Sequence, residues 1–222
     1  WNNDWKVSQE LIKRYEINNS TAKKSKPQLK EIVKIFDHFY FGGDPNGNHR
    51  DWKGYIRNEN LLVDQVFFNQ LTRKGFQWGF VSGAEESSAR YVLETRLGLN
   101  NPPLIAMGEA PDKPDPTGFL RLASQLTGGI LGYGVPPIAY LGDTVADVLT
   151  IQQARKKVHD QMFVSLGVAP PHLQSDQNQA LRLTYEETMI KAGADKVLKS
   201  TNEILSFVDR EWPSNFNSVR GI

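Results

Sequence analysis

The segment 138–147 joins an apolar run to two carboxylates that could hold a metal ion. Its sequence, IAYLGDTVAD, places Asp143 directly after the run and Asp147 four residues later. Four residues are about one helical turn, so both carboxylates can lie on one face of a helix. Mg²⁺ prefers oxygen ligands and usually takes one or two carboxylates together with phosphate and water. The segment therefore predicts a magnesium site, although Asp143 as a helix cap and Asp147 as a first-turn acid would explain the same pattern.

Two further segments carry groups that suit a phosphate. Ser82 and Gly83 follow the apolar run at 77–81, where a hydroxyl and the N–H groups of a starting helix can donate to an anion. Lys113 lies in the run Lys-Pro-Asp-Pro, whose prolines stiffen the turn before a helix. A fixed ammonium there could neutralise a phosphate or a carboxylate nucleophile. Taken alone, Ser82 also fits a helix cap, and Lys113 also fits a solvated turn.

Short apolar runs alternate with helical patterns from residue 76 onward, whereas the first 75 residues are helical in pattern. Strands are predicted at 77–81, 104–107, 138–141, 162–166 and 196–198, and helices at 5–15, 27–41, 64–72, 85–97, 116–126, 178–192 and 202–211. A further helix follows the strand at 138–141 and ends at about residue 157. This alternation is typical of parallel βαβ units. The predicted fold is α/β: a three-layer Rossmann-like core with a parallel sheet (76–222), preceded by an N-terminal helical domain (1–75). Ligands of such sheets bind at the carboxyl ends of the strands, where the polar groups above are found.

Composition restricts the possible partners. The 222 residues contain 26 Lys plus Arg and 25 Asp plus Glu, a net charge of +1, which argues against a dedicated nucleic-acid binder. No apolar run approaches the roughly 18 residues of a membrane-spanning helix. The chain has no Cys, which excludes disulfides, thiolate zinc sites and thiol nucleophiles. We therefore expect a cytoplasmic protein that binds neither nucleic acid nor membrane.

The order of these motifs resembles one enzyme family. Ser82, then Lys113, then Gly-Asp-x-x-x-Asp at 142–147 are similar to the second, third and fourth motifs of the haloacid dehalogenase-like (HAD) hydrolase superfamily, and segment 1–75 resembles the helical cap of its subfamily I. The resemblance implies phosphoryl transfer, in which an Asp nucleophile forms an aspartyl-phosphate that water hydrolyses. It also implies these roles: phosphate binding by Ser82 and the Gly83 amide, a bridge between phosphate and nucleophile by Lys113, Mg²⁺ binding by Asp143, and support of the metal's water shell or of Lys113 by Asp147.

The first motif of the family, an apolar strand ending in Asp-x-Asp-Gly, is not found. Asp37 lies in a helical pattern without the second Asp, and Asp44 follows no apolar strand. In this fold the missing strand lies between the strands that end at Val81 and at Leu141, so its absence leaves two unpaired edges. We therefore expect a segment of about 20 to 50 residues before Trp1 that carries the strand and the nucleophile.

The sequence thus predicts a Mg²⁺-dependent phosphatase of a small phosphorylated metabolite, inactive as the chain stands if its nucleophile lies upstream. A phosphomutase of the same fold remains an alternative. A haloacid dehalogenase would not need Mg²⁺, and the pair Asp143 and Asp147 argues against it. A non-catalytic module that binds a phospho-ligand or a partner is the alternative from a different class, if the nucleophile is truly absent. The sequence specifies neither the substrate nor the oligomeric state.

Overall fold

The computed structural model describes residues 4–18 and 28–212, and within these ranges it contains eight α-helices and five strands. The helices are α1 (Asp4–Asn18), α2 (Leu29–Tyr40), α3 (Gln65–Arg73), α4 (Glu86–Arg90), α5 (Thr117–Leu126), α6 (Val145–Lys157), α7 (Gln179–Ala192) and α8 (Ile204–Arg210). The strands are β1 (Phe80–Val81), β2 (Leu104–Ile105), β3 (Ile138–Gly142), β4 (Phe163–Val168) and β5 (Lys196–Leu198). The strand pairs of the described residues are all parallel, and helices connect them. The prediction of a Rossmann-like α/β fold is confirmed.

Most predicted elements are present, with shifted ends. The strand predicted at 77–81 is reduced to β1, and the helix predicted at 85–97 is α4 followed by a π-helical turn, Tyr91–Arg96. The start of the helix predicted at 27–41 lies outside the described residues, and α2 begins at Leu29. No helix of the described ranges is long and apolar enough to cross a membrane.

The chain folds as two compact units. Unit 1 consists of residues 1–61 and 83–100, and unit 2 of residues 62–82 and 101–222. Helix α3 belongs to unit 2, where Phe68 packs against Trp78 with ring centroids 4.8 Å apart. These units divide the chain at other points than residue 75, and the division into a cap at 1–75 and a core at 76–222 stays a prediction.

Unit 1 is organised around an aromatic cluster. Trp52 is fully buried and packs on Phe41 and Tyr91, with centroid distances of 4.6 and 5.1 Å. The Tyr91 contact joins the π-helical turn to the segment after α2, which explains why residues 83–100 belong to this unit. Arg96 adds a second link, since its guanidinium donates to the carbonyl oxygen of Ile56 at 3.0 Å.

Unit 2 contains two separate parallel sheets. In the described residues the strand orders are β1–β2 and β3–β4–β5, and no pairing joins β1 to β3. Helices α5 and α6 nevertheless cover both, because Phe119, Ile151 and Ala154 belong to one core cluster against which Val81 and Ile138 pack. All five residues of β3 are only half-buried, whereas five of the six residues of β4 are buried. Among the described residues, the edge of β3 that faces away from β4 has no partner strand, and we refer to it as the open edge.

We expect Trp52→Ala to lower the free energy of unfolding by about 3–5 kcal/mol. The substitution removes a fully buried indole and leaves a cavity, and it deprives the Asp44 carbonyl oxygen of a donor at 2.8 Å. Urea denaturation followed by circular dichroism measures the change. Tyr133→Ala is the control, because that side chain is 96% exposed and its loss should change stability by less than about 0.5 kcal/mol. Equal effects of the two variants would contradict the role of the cluster.

Candidate functional site

The structure brings Lys113 and Asp147 together at the carboxyl end of β3. The Lys113 Nζ donates to Asp147 Oδ1 at 2.7 Å, and the two side chains are only 18% and 4% exposed. Dissolved salt weakens ion pairs on the surface, but it weakens a pair with so little exposure much less. Removing either partner would leave a charge in a poorly solvated place, so each residue depends on the other.

The carboxylate of Asp147 accepts four hydrogen bonds from the protein. Oδ2 accepts from the Thr144 backbone N–H at 3.0 Å and from its hydroxyl at 2.6 Å. Oδ1 accepts from Lys113 and from the Tyr140 hydroxyl, the latter at 3.0 Å. These four donors replace the hydrogen bonds to water that the carboxylate loses on burial. Of the two roles that the family resemblance gives Asp147, these contacts favour the support of Lys113, and its part in a metal site stays a prediction.

The Asp147 carboxylate also takes part in a capping box at the start of α6. Thr144 is the N-cap residue in an extended conformation (φ −120°, ψ 155°), and its hydroxyl accepts from the Asp147 N–H at 3.2 Å. The alternative in which Asp143 caps the helix is therefore wrong. The hydroxyl one residue later takes that role, because it can reach the third N–H of the helix.

Asp143 occupies the turn between β3 and α6. The side chain of Asp143 reaches solvent. The partial loss of hydration beside the protein nevertheless raises the pKa of its carboxyl, and the charge of Asp147 raises it further. Lys113 and His172 act in the opposite direction. The backbone carbonyl oxygen of Asp143 accepts from the Tyr185 hydroxyl at 2.7 Å, which ties the turn to α7.

The donor set fits Mg²⁺ in part. Residues 4–18 and 28–212 contain no group of three or more His, Cys, Asp or Glu that could hold a metal ion by themselves. Mg²⁺ usually keeps water and takes only one or two carboxylates beside a substrate phosphate. Asp143 is therefore suited to be one ligand, and the remaining ligands would have to come from phosphate, water or a further carboxylate.

The loop that carries Lys113 is anchored before and after the lysine. The Glu109 carboxylate accepts from the Ala106 N–H at 2.6 Å, and the Thr117 N–H donates to Asp115 at 2.8 Å at the start of α5. Arg121 on α5 also donates to the Glu109 carbonyl oxygen at 2.9 Å. The predicted rigid turn is thus held by hydrogen bonds as well as by its prolines.

Ser82 lies at the carboxyl end of β1, as the sequence predicted. Its backbone N–H donates to the Ile105 carbonyl oxygen at 2.9 Å and so continues the pairing of β1 with β2 by one residue. Ser82 is half-buried, and Gly83, the first residue of the second segment of unit 1, is exposed. Their binding of phosphate stays a prediction.

The two rejected nucleophile candidates do not end strands. Asp37 lies within α2, and Asp44 lies in a turn where its carboxylate accepts from the Asn46 N–H at 3.0 Å. Burial raises the pKa of Asp37, whose Oδ1 has no hydrogen-bond partner. Asp37 also lines a cavity of about 410 Å³ in unit 1 together with Glu85 and Glu86.

Tyr140 and Gly142 have roles that the sequence did not predict, although Gly142 belongs to the motif Gly-Asp-x-x-x-Asp. They are two residues apart on β3, so their side-chain positions lie on the same face of the strand. A Cβ added to Gly142 would lie 2.3 Å from the Asp147 Cβ and 2.4 Å from its Cγ. The signal in the sequence was the spacing of two residues between Tyr140 and Gly142, which places both on one face of a predicted strand.

We expect Gly142→Ala to displace Asp147 and to lower stability by about 1–3 kcal/mol, because no real Cβ comes so near to another side chain. Thermal unfolding measures the loss, and a crystal structure of the variant would show whether the distance between Lys113 and Asp147 increases. Gly43→Ala is the matched control, since its added Cβ would meet nothing closer than 3.4 Å. An unchanged melting temperature for Gly142→Ala would contradict the tight contact.

Comparison with solved structures agrees with this fold. The crystal structure of a phosphonoacetaldehyde hydrolase-like protein from Oleispira antarctica is similar, with a TM-score of 0.59 at 16% identity over 92% of this chain and 73% of that one. An X-ray structure of a Northeast Structural Genomics Consortium target gives a TM-score of 0.54 at 14% identity, over 82% of this chain and 53% of that one. At these identities the likeness shows the fold alone.

A search among curated proteins finds no match to this sequence. The family model described as haloacid dehalogenase-like hydrolase, however, matches residues 14–155, which is more than half of the 222 residues. The matched range includes Ser82, Lys113, Asp143 and Asp147. The chain therefore belongs to the haloacid dehalogenase-like hydrolase family.

Proposed function

We propose that the protein is a Mg²⁺-dependent phosphatase that acts on a small phosphorylated metabolite through an aspartyl-phosphate. The observation that carries the proposal is the buried pair of Lys113 and Asp147, which lies directly beside Asp143 at a strand end. An ammonium held in a weakly solvated place is suited to neutralise the negative charge of a phosphate. Membership of a hydrolase family supports hydrolysis in general, and the phosphate ester and the metal are part of the proposal.

In this mechanism each residue of the site has one task. Ser82 and the Gly83 amide donate to phosphate oxygens, and Lys113 neutralises charge between the phosphate and the attacking carboxylate. Asp147 keeps Lys113 in place, while Asp143 would hold Mg²⁺, which supplies charge neutralisation on the phosphate when bound. The carboxylate forms its bond to phosphorus as the bond to the leaving oxygen breaks, and a second Asp, two residues after the nucleophile in the missing motif, protonates that oxygen to give the alcohol. The same Asp then accepts a proton from the water that hydrolyses the aspartyl-phosphate, which releases inorganic phosphate and restores the carboxylate.

We further propose that the nucleophile is carried by a strand between β1 and β3, in a segment outside this sequence. Within residues 4–18 and 28–212, one edge each of β1 and β3 has no partner strand, and Val81 and Ile138 of these strands pack against the same hydrophobic cluster of unit 2. Unpaired edges beside a core normally attract another strand. The half-buried state of β3 beside the well-buried β4 supports the same view.

Cytoplasmic location rests on composition and a small-molecule substrate rests on the family resemblance, and both stay part of the proposal. The phosphomutase alternative differs in its product, since it would move the phosphoryl group to another hydroxyl of a sugar instead of releasing inorganic phosphate. A panel of phosphorylated metabolites with detection of free phosphate separates these two reactions and identifies the substrate. No release and no transfer by the intact protein would favour the binding module.

We expect Asp143→Asn to reduce Mg²⁺-dependent hydrolysis of p-nitrophenyl phosphate by the intact protein at least about 100-fold, because a neutral amide no longer attracts the cation. The assay is run with increasing Mg²⁺. Asp160→Asn is the control, because it makes the same chemical change at an exposed acid of unit 2. Hydrolysis that survives Asp143→Asn would show that the metal assignment is wrong.

Hydrogen exchange tests the missing strand. The Ile138 N–H donates to the Met162 carbonyl oxygen of the β4 side at 3.0 Å, so alternation along β3 directs the N–H groups of Ala139 and Leu141 towards the open edge. We expect these two amides to exchange at least about 100-fold faster than that of Tyr140 in the present chain, and to become protected in the longer protein.

The comparison is made by NMR on the present chain and on the full gene product. The Tyr140 amide serves as the internal control, since its partner strand is the same in both proteins. Slow exchange of Ala139 and Leu141 in the present chain would contradict the open edge. A gene that encodes no upstream strand would overturn the proposed position of the nucleophile.

A further inference from the structure

The hydroxyl of Tyr140 completes a triangle with Lys113 and Asp147. It donates to Asp147 Oδ1 at 3.0 Å, and the Lys113 Nζ donates to the Tyr140 oxygen at 3.4 Å. The third side is the bond of 2.7 Å from Lys113 to the same Oδ1. A phenol has one O–H donor and lone pairs that accept, so it can make both of its bonds at once.

The three members of the triangle differ in rigidity. Lys113 carries its ammonium on a flexible four-carbon stem. The Tyr140 ring, in contrast, packs against Phe119 of α5 with centroids 5.3 Å apart, and its backbone is paired with Ser165 of β4. The Tyr140 hydroxyl is therefore a point fixed by the sheet and by α5, next to an ammonium on a flexible stem.

We propose that Tyr140 is a positioning residue, whose hydroxyl fixes the Lys113 ammonium for an incoming phosphate. This inference rests on the proposed function in taking phosphate as the ligand of the site. Tyr140 acts through Lys113 and does not itself touch the phosphate. Because an error of about 1 Å in the position of a charged group can reduce catalysis about 100-fold, a second anchor on a flexible lysine has a measurable effect.

A purely structural role of Tyr140 would be carried by its ring. Tyr140→Phe keeps the ring and its contact with Phe119, and removes only the hydroxyl. Inorganic phosphate is a suitable probe, because its binding needs no turnover. Isothermal titration calorimetry is carried out on the present chain, on Tyr140→Phe, on Lys113→Ala and on the double variant.

We expect Tyr140→Phe to weaken phosphate binding about 5- to 10-fold, and the double variant to bind no more weakly than Lys113→Ala, since the hydroxyl acts only through the ammonium. Tyr133→Phe, at a side chain that is 96% exposed, is the matched control and should bind phosphate as the unchanged protein does. Unchanged binding by Tyr140→Phe, or an equal loss in the presence and absence of Lys113, would overturn the proposal. So would a protein without any affinity for phosphate.

A second measurement needs no ligand. The ¹⁵N-detected ammonium signal of Lys113, assigned by its loss in Lys113→Ala, reports the hydrogen bonding of Nζ. We expect this signal to shift and broaden in Tyr140→Phe and to stay unchanged in Tyr133→Phe. Phe119→Leu, which keeps the hydroxyl and loosens its ring, should shift the signal in the same direction and remains available if Tyr140→Phe does not fold.

The outcomes separate this inference from the proposed function. In the intact protein, the positioning role predicts a lower kcat for Tyr140→Phe with an unchanged Mg²⁺ requirement. Phosphate binding with the expected pattern in a protein that hydrolyses no phosphate ester would refute the phosphatase and leave the role of Tyr140 intact. Hydrolysis that is equally fast in Tyr140→Phe and in the unchanged protein would refute the role of Tyr140 and leave the phosphatase intact.

Discussion

The buried carboxylate of Asp147 is the constraint on which the site depends. Its side chain is only 4% exposed, and burying a polar group is unfavourable unless hydrogen bonds replace those that it made to water. Its partners come from three different parts of unit 2: the loop of Lys113, the strand of Tyr140, and the first turn of α6. The carboxylate therefore links elements that are far apart in sequence. The same group takes part in the capping of α6 and holds the lysine in position.

The position of Asp147 also explains the local sequence around β3. The close approach of Asp147 leaves no room for a Cβ at residue 142, which makes Gly142 a packing requirement. Thr144 must offer both a hydroxyl and an N–H to the same oxygen, which explains why it, and not Asp143, is the N-cap. Asp143 is thereby left outside the cap, with a carboxyl whose pKa is raised by its surroundings and by Asp147. A cation at this carboxyl would relieve the repulsion between the two acids.

The sequence predicted the strand ends better than it predicted the contacts. Asp143, Asp147 and Lys113 were found because their types and spacing follow apolar runs, and the parallel order of such runs determines where they meet. Tyr140 was missed because an aromatic residue within a strand indicates packing, and its hydrogen bond depends on a lysine 27 residues away. The helix of α2 was predicted correctly from its apolar spacing, yet Ile35 and Phe39 are 58% and 70% exposed. Periodicity specifies a helix face, but only tertiary structure decides what covers it.

The way in which Lys113 is held bears on whether the site only binds a ligand or also catalyses a reaction. Lys113 is held by protein groups before any phosphate arrives, so the cost of orienting its charge has already been met in folding. A preoriented charge stabilises whichever state carries the most negative charge near it, and in phosphoryl transfer the charge moves between the attacking and leaving oxygens. A site for binding alone would gain little from so rigid an ammonium, since a mobile lysine can follow its ligand. The rigidity of the triangle therefore favours an enzyme, and the strand proposed to carry the attacking group would pair with the edges of β1 and β3 that have no partner among the described residues.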